Sequence, residues 1–206
     1  MQGLSGYAVP VYLLDTVLTG NSQFDQTLTD QLYGGDEYYR LCQEVVLGIG
    51  GMEILNALGY KHVATYHMNE GHASLLTLAL LETHLAGRSL KDVTAEDLDF
   101  LRRRCVFTTH TPVPAGHDQF PKDLVRRVVG DESVALLEKL GRFTESALNM
   151  TFLGCAVRTI STELPCNTAK SREGCFRTTR FAPSKRRARH NVDLSSVSGA
   201  LRQARS

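Results

Sequence analysis

The fold is decided by a strand that runs into a polar turn and then a long helix, in the sequence VATYHMNEGHASLLTLALLE, residues 63–82. Residues 63–67 are short and β-rich and predict a strand, whereas residues 70–86 are apolar almost all round and predict a largely buried helix. A second probable buried strand, residues 105–108, runs into the polar and Pro/Gly-rich sequence THTPVPAGHD, residues 109–118. Ligands of open α/β sheets bind outside the carboxyl ends of the strands. Two such strand ends therefore predict a pocket for a polar small molecule.

The remainder of the chain alternates between strand and helix patterns. A first strand is expected over residues 7–14, and a loop over residues 18–35. Helices are expected over the segments 36–58, 94–104, 123–129, 133–140 and 145–153. Strands that alternate with helices predict an α/β fold, with a Rossmann-like parallel sheet and helical crossovers.

Three glycines interrupt the first long helix at Gly48, Gly50 and Gly51. Each costs roughly 1 kcal/mol relative to alanine in a helix interior. Their clustering predicts that this helix packs closely against a neighbouring backbone.

The charge of the chain changes sign near residue 153. Residues 1–153 contain 12 Lys and Arg against 19 Asp and Glu, whereas residues 154–206 contain 11 against 3. So sharp a change indicates that two kinds of sequence are joined. We expect a folded domain over residues 1–153 and a disordered basic tail over residues 154–206. The tail could contact nucleic acid through phosphates, but no groove-reading motif lies beside it.

Cysteine usage and the hydropathy pattern exclude several classes of protein. The five cysteines form no CxxC pair and have no zinc-site spacing, and their odd number argues against a disulfide framework. The first residues lack the basic and apolar regions of a signal peptide. No apolar run reaches the roughly 18 residues of a membrane span. We therefore expect a cytoplasmic protein that does not bind a membrane.

The polar turn after the first of the two strand ends could serve three purposes. His67, Glu70 and His72 are possible metal ligands, but their spacing is not the His-Glu-x-x-His of zinc proteases, so no metal site is predicted. Capping together with a core histidine is a second interpretation. The favoured interpretation is a sugar or other polyol site, because Asn69, Glu70, His72 and His110 offer both donors and acceptors to hydroxyl groups.

The second strand end offers His110 and the pair His117 and Asp118. A histidine at a strand end is often satisfied internally, but the flanking Thr109 and Thr111 and the prolines that follow favour a ligand contact. His117 and Asp118 could form a general-base pair, although a turn is the favoured interpretation. The sequence contains no Gly-x-Ser-x-Gly, P-loop or GxGxxG motif.

At these residues the chain resembles the α-glucan (glycogen/starch) phosphorylases, and most of all their short bacterial type. The resemblance covers nearly all of residues 7–153. It is carried by the segments VPVYLLDT, LTDQLYGGDEYYRLCQEVVLGIGGMEILNALG, YHMNEGHASLLTLALLE, VFTTHTPVPAGHDQFP and LNMTFL. The segments YHMNEGH and VFTTHTPVPAGHD are the most specific of these.

The resemblance implies a cleft between two Rossmann-like halves, of which this chain would form part of one. It implies transfer of a terminal glucosyl unit from an α-1,4-glucan to inorganic phosphate, which gives glucose 1-phosphate, with pyridoxal phosphate as cofactor. It further implies that His110 contacts the transferred glucose near its 6-hydroxyl, that Asn69, Glu70 and His72 lie beside the glucose pocket, and that Asp36 lies in a loop near the opening of the active site.

The chain also departs from that family. The second half of the enzyme, with the lysine that holds pyridoxal phosphate, has no counterpart in this sequence. We therefore expect a partial N-terminal domain to which no catalytic residue is assigned, which does not bind the cofactor and is inactive alone. Two alternatives stay open, a non-catalytic glucan-binding module that ends near residue 153 and a nucleic-acid-binding protein that uses the basic tail.

The tail itself has a possible origin in a shifted reading frame. Suitable codons for LPCNTAKSREGCF, residues 164–176, read VAMQHREVSRGMF when shifted by one base, and residues 186–205 can become GVHATTWTSPAFQALYDKH in another frame. Both strings resemble phosphorylase sequence. The hypothesis is that the frame slips near the codons for Leu153 and Lys185.

Overall fold

A computed structural model of the chain describes residues 6, 8, 11–110, 118–140, 142–144, 146–157 and 161–162. In that part of the chain the strands are β1 (Tyr66–Asn69), β2 (Cys105–Thr108), β3 (Gln119–Pro121), β4 (Phe143–Thr144), β5 (Ala147–Asn149) and β6 (Ser161–Thr162). The α-helices are α1 (Gln23–Gln26), α2 (Glu37–Ala57), α3 (Leu76–Leu85), α4 (Ala95–Arg104), α5 (Lys122–Lys139) and α6 (Met150–Ala156), and short 3₁₀ turns lie at Thr27–Thr29, Gly71–Ala73 and Leu90–Asp92.

The centre of the fold is a parallel sheet with the strand order β1-β2-β6. Tyr66 pairs with Cys105 and Asn69 pairs with Thr108, so the carboxyl ends of β1 and β2 lie side by side. Helices α3 and α4 form the crossover between these two strands, because parallel neighbours need a long connection. The predicted α/β class, with a parallel sheet and helical crossovers, is confirmed.

A second, smaller sheet was not predicted from the sequence. Its three strands are antiparallel and have the order β3-β5-β4. Phe120 and Leu148 pair across it and are both fully buried. This sheet joins the main core through Met150, the first residue of α6, whose backbone N–H donates to the carbonyl oxygen of Asp118 over 3.1 Å.

The core is built from the parallel sheet and from the helices α2 to α6. Met68 and Phe107, neighbours across β1 and β2, are each 1% exposed. Gly48 of α2 allows the close approach that the glycine cluster predicted, because a Cβ there would lie 2.7 Å from the backbone nitrogen of Leu76. Gly51 meets no described atom within 4 Å, so the prediction does not extend to it.

Helix ends follow local sequence closely. Thr94 accepts a hydrogen bond from the backbone of Asp97, whose carboxylate in turn accepts from the Thr94 backbone, and the two form a capping box at the start of α4. Asp36 is the N-cap of α2 and accepts from the backbone N–H of Tyr39 at 2.8 Å. Gly59 follows α2 with a φ of 80°, the left-handed conformation in which a glycine commonly ends a helix.

Several predicted elements were wrong in extent or type. Residues 11–14 form no strand, since Val11 and Leu13 are 55% and 83% exposed and lack the packing that an apolar strand needs. The predicted loop 18–35 contains α1 and a 3₁₀ turn, with Ser22 as N-cap. Residues 147–149 are strand β5 rather than helix, because they pair with β3 and β4.

The other boundaries differ by smaller amounts. The predicted helix 70–86 begins as α3 only at Leu76, after the 3₁₀ turn. The two helices predicted over residues 123–140 are both found within α5, with a break at Gly130, whose φ is 84°. Helix α6 continues past residue 153 to Ala156, and residues 158–160 and 163–206 of the predicted tail lie outside the described residues. Among the helices that the structure describes, none has the length and apolar character of a membrane span.

Candidate functional site

The candidate site lies where the parallel strands β1 and β2 end. Asn69 closes β1 and Thr108 closes β2, and the backbone N–H of Glu70 donates to the carbonyl oxygen of Thr108 over 2.7 Å. The chain therefore leaves the sheet at one rim with Glu70 on one side and Thr109 and His110 on the other. This is the rim at which the sequence predicted a ligand pocket.

The carboxylate of Glu70 links the ends of β1 and β2 through hydrogen bonds. One oxygen of its carboxylate accepts from the Thr109 hydroxyl at 2.8 Å, and the other accepts from the backbone N–H of His110. Glu70 itself has a φ of 64°, which costs a residue other than glycine roughly 1–3 kcal/mol. The surrounding contacts hold the residue in this conformation, and strained positions of this kind concentrate at functional sites.

His110 and Asn69 form the outward-facing part of the rim. Both are exposed, and Nε2 of His110 lies 3.2 Å from Oδ1 of Asn69. His67, two residues before Asn69 on the same face of β1, places its Nε2 2.7 Å from the Thr108 hydroxyl. Imidazole and amide groups thus share one exposed surface that can both donate and accept hydrogen bonds, and the Thr108 hydroxyl that His67 contacts is buried.

His72 belongs to a second group of side chains. Its Nδ1 lies 3.4 Å from Oε1 of Glu44 and 3.3 Å from Oδ2 of Asp118, and its ring lies 5.3 Å from that of Tyr33. The two carboxylates raise the pKa of His72 to about 10, through hydrogen bonding to Asp118 first and to Glu44 second. His72 is therefore a cation at neutral pH in this arrangement.

The two carboxylates of this group differ in their surroundings. Glu44 lies on α2 and is only 4% exposed, and its burial raises its pKa to about 7. Asp118 is half-buried, and its hydrogen bond to His72 lowers the pKa of its carboxyl. Arg40, one helical turn before Glu44, adds an ion pair of 3.7 Å between its Nε and Oδ1 of Asp118.

The predicted site residues therefore divide into three places. Asn69, Glu70 and His110 come together at the rim, as the sequence predicted. His72 contacts Glu44 and Asp118. Its imidazole Nδ1 therefore faces these two carboxylates, and not His67 and Glu70, which the sequence offered with it as possible metal ligands. Asp36 caps α2, and its proposed place near an active-site opening stays a prediction. Of the pair at residues 117 and 118, His117 lies outside the described residues.

Sequence reasoning missed Glu44 and Arg40. A usable signal was present, because Glu44 falls on the same helical face as Leu41, Val45 and Gly48, all of which are buried. A carboxylate in a buried helical stripe is rarely found without a partner. That position predicts a partner for Glu44 without identifying it.

The candidate site lies in a chain that is related to known enzymes. A glycogen phosphorylase of Mycobacterium tuberculosis (strain ATCC 25618 / H37Rv) is 41% identical over 128 residues, which is 60% of this chain and 15% of that enzyme. A maltodextrin phosphorylase of Thermococcus litoralis is 43% identical over 113 residues, 55% of this chain and 13% of that enzyme. A glycogen phosphorylase of Aquifex aeolicus is 31% identical over 115 residues, 56% of this chain and 16% of that enzyme.

These relatives confirm the resemblance drawn from the sequence. The chain spans about 15% of the length of the curated relatives that it matches. No family model matches it.

Proposed function

We propose that this chain, a relative of the glycogen and maltodextrin phosphorylases, supplies part of the glucose-binding edge of an α-glucan phosphorylase. Such an enzyme transfers a terminal glucosyl unit from an α-1,4-glucan to inorganic phosphate and releases glucose 1-phosphate. The proposal concerns carbohydrate metabolism in a cytoplasmic enzyme. The chain alone contributes sugar contacts and does not catalyse the transfer.

The observation that carries this proposal is the joint support of His110 at the end of β2. Its backbone is held by the Glu70 carboxylate, and its ring lies 3.2 Å from the Asn69 amide oxygen. These two contacts fix an exposed imidazole at the strand rim, where small molecules bind in α/β folds. A sugar hydroxyl that both donates and accepts would complement the Asn69 and His110 pair.

Within this proposal the three rim residues have different roles. His110 and Asn69 are exposed and would contact the glucosyl unit directly. Both carboxylate oxygens of Glu70 already accept hydrogen bonds from the protein, so Glu70 would act as a positioning residue. A fourth residue, His72, would support the rim without contacting the sugar through Nδ1, since that atom faces Glu44 and Asp118.

The described residues do not fit pyridoxal phosphate, the cofactor that the family uses. That cofactor needs a lysine for its aldehyde and cationic groups for its phosphate. Lys122 forms an ion pair with Glu138, and Lys91 forms one with Glu132. Lys139 donates to the carbonyl oxygen of Val93. Lys61 is exposed in the turn after α2. No step of the reaction is therefore assigned to the cofactor on these residues.

The proposed sugar site can be tested by nuclear magnetic resonance on the full chain labelled with ¹⁵N. Titration with maltotriose should shift the amide signals of Asn69, Glu70 and His110, and the shifts should saturate. In His110→Ala the affinity should fall by about tenfold, since the site then lacks a hydrogen-bond partner worth roughly 1.5 kcal/mol. His62→Ala, which removes an exposed histidine from the turn before β1, should bind as the unaltered chain does.

Shifts that lie elsewhere, or an affinity that is equal in His110→Ala and His62→Ala, would remove the proposed role of the rim. The inactivity of the isolated chain is tested separately. Incubation with maltodextrin, inorganic phosphate and added pyridoxal phosphate should release no glucose 1-phosphate above the rate without protein. Measurable release would contradict it.

For the segment 154–206, we propose a shifted reading frame. The support is that two stretches of it give phosphorylase-like strings in other frames. On this proposal the basic character of the tail is a by-product of the frame and has no selected partner. Strongly salt-dependent binding of nucleic acid that disappears when residues 154–206 are deleted would favour the nucleic-acid alternative instead.

A further inference from the structure

Three segments of the chain bring one imidazole and two carboxylates to a single point below the rim. Glu44 comes from α2, His72 from the 3₁₀ turn after β1, and Asp118 from the residue before β3. One potential ligand atom of each lies within 4.8 Å of the others. The proposed sugar site uses none of these three convergent atoms.

The distances within this group are long for charge-assisted hydrogen bonds. Nδ1 of His72 lies 3.3 Å from Asp118 and 3.4 Å from Glu44, whereas such bonds usually measure about 2.7–2.9 Å. One N–H that is shared between two acceptors also bonds each of them less strongly than it would bond one. Ligands about 2.0–2.1 Å from a tetrahedral zinc ion lie roughly 3.3–3.4 Å from one another. Both separations match that spacing.

A second observation concerns the other oxygen of Glu44. Glu44 is 4% exposed, and its Oε2 is buried without a hydrogen-bond partner among the described residues. An unpaired carboxylate oxygen in such a position is costly. A bound cation would compensate it, because a metal ion can accept electron density from one or both oxygens of the same carboxylate.

We propose that Glu44, His72 and Asp118 form a binding site for one divalent transition-metal ion, with Zn²⁺ as the best match. An imidazole nitrogen with two carboxylate oxygens is a donor set that zinc accepts. Zn²⁺ would displace the proton from Nδ1 of His72 into solvent, because a ligating imidazole is neutral. His72 and Asp118 are 28% and 22% exposed at their side chains, so water has access to a fourth position. The ion would join α2, the turn after β1 and the start of the small sheet.

Arg40 would affect the orientation of one ligand and the charge around this site. Its Nε lies 3.7 Å from Oδ1 of Asp118, the oxygen that does not face His72. This contact orients the carboxylate, as the partners of metal ligands commonly do. It also places a positive charge near the ion, which should weaken binding.

The test uses the full chain after treatment with EDTA and gel filtration, with folding verified by circular dichroism. Calorimetric titration with ZnCl₂ should give one ion per chain. Substitution of Zn²⁺ by Co²⁺ should give the visible absorption bands of a tetrahedral ion with nitrogen and oxygen ligands. Neither readout depends on glucan binding or on phosphorolysis.

Variants assign the ligands. His72→Ala and Asp118→Asn should each weaken Zn²⁺ binding by at least about tenfold, because the loss of even an outer partner of a ligand has effects of that size. His62→Ala, which removes an exposed histidine elsewhere, should leave the titration unchanged. Asp118→Asn keeps the size of the side chain, so it reports on the site even if His72→Ala fails to fold.

Three results would overturn the proposal. One is a folded chain that gives no saturable Zn²⁺ heat and no Co²⁺ bands. Another is unchanged affinity in a folded Asp118→Asn variant. The third is the near-ultraviolet charge-transfer band of a cobalt–thiolate bond, which would assign the ion to cysteines.

Discussion

The packing of α2 on α3 makes a sharp prediction at Gly48. An added Cβ at this glycine would lie 2.7 Å from the backbone nitrogen of Leu76 and 3.0 Å from the carbonyl carbon of Leu75. Both atoms belong to the backbone, so neither can move aside by changing a rotamer. Gly51, in the same helix, meets no described atom within 4 Å.

The magnitude follows from two opposing contributions. Alanine is favoured over glycine in a helix interior by roughly 1 kcal/mol, and both substitutions gain this. Only Gly48→Ala meets the neighbouring backbone, and forced overpacking of this kind costs roughly 1–3 kcal/mol. The difference in unfolding free energy between Gly51→Ala and Gly48→Ala should therefore be about 1–3 kcal/mol, since the propensity contribution cancels.

The assay is equilibrium unfolding in urea, followed by circular dichroism at the helix band. Gly51→Ala should be more stable than the unaltered chain, and Gly48→Ala should be the less stable of the two variants with an unchanged slope against urea. Equal stabilities in the two variants would refute the helix contact described at Gly48. A Gly48→Ala variant that is more stable than Gly51→Ala would contradict that contact even more directly.

Two further predictions concern acid stability and the gene. Arg88 and Thr94 hold the pKa of the Asp97 carboxyl well below its ordinary value of 3.8, so the stabilisation from this carboxylate is present above that pH and is lost as the pH falls through the lowered pKa. The unaltered chain should accordingly lose more stability than Asp97→Asn between about pH 5 and about pH 2, and equal losses would contradict this. Sequencing of the gene across the codons for Leu153 and Lys185 should reveal frame slips, and an intact single frame that agrees with the chain in every read would exclude them.

The sequence predicted those parts of the fold that depend on local chemistry and periodicity. The strand Cys105–Thr108, the start of α4 at Thr94 and the end of α2 before Gly59 were all correct, because a buried apolar run, a capping box and a left-handed glycine act within a few residues. The small antiparallel sheet was not found. Its strands have two or three residues each and depend on pairing across the chain, which periodicity cannot detect.

The sequence predicted which residues meet at the rim but not the contacts among them. Strand ends place Asn69, Glu70 and His110 at one rim, and the alternation of strand and helix is sufficient to infer that. The group of Glu44, His72 and Asp118 draws on three segments that are distant in sequence, and no local pattern links them. Burial of Glu44 in an apolar helical stripe was the one local indication of a partner.

The contacts at the rim also distinguish the roles of Glu70 and His110 in the proposed recognition of a sugar. Residue type alone makes Glu70 and His110 equal candidates for a contact with a hydroxyl group. In the structure, Glu70 adopts a strained backbone conformation and directs both carboxylate oxygens to Thr109 and His110, so its hydrogen-bonding capacity stabilises the protein. Removal of Glu70 should therefore disturb His110 first and sugar binding as a consequence. Removal of the His110 side chain should weaken sugar binding while the backbone contacts of Glu70 persist, and this order separates a residue that positions from one that binds.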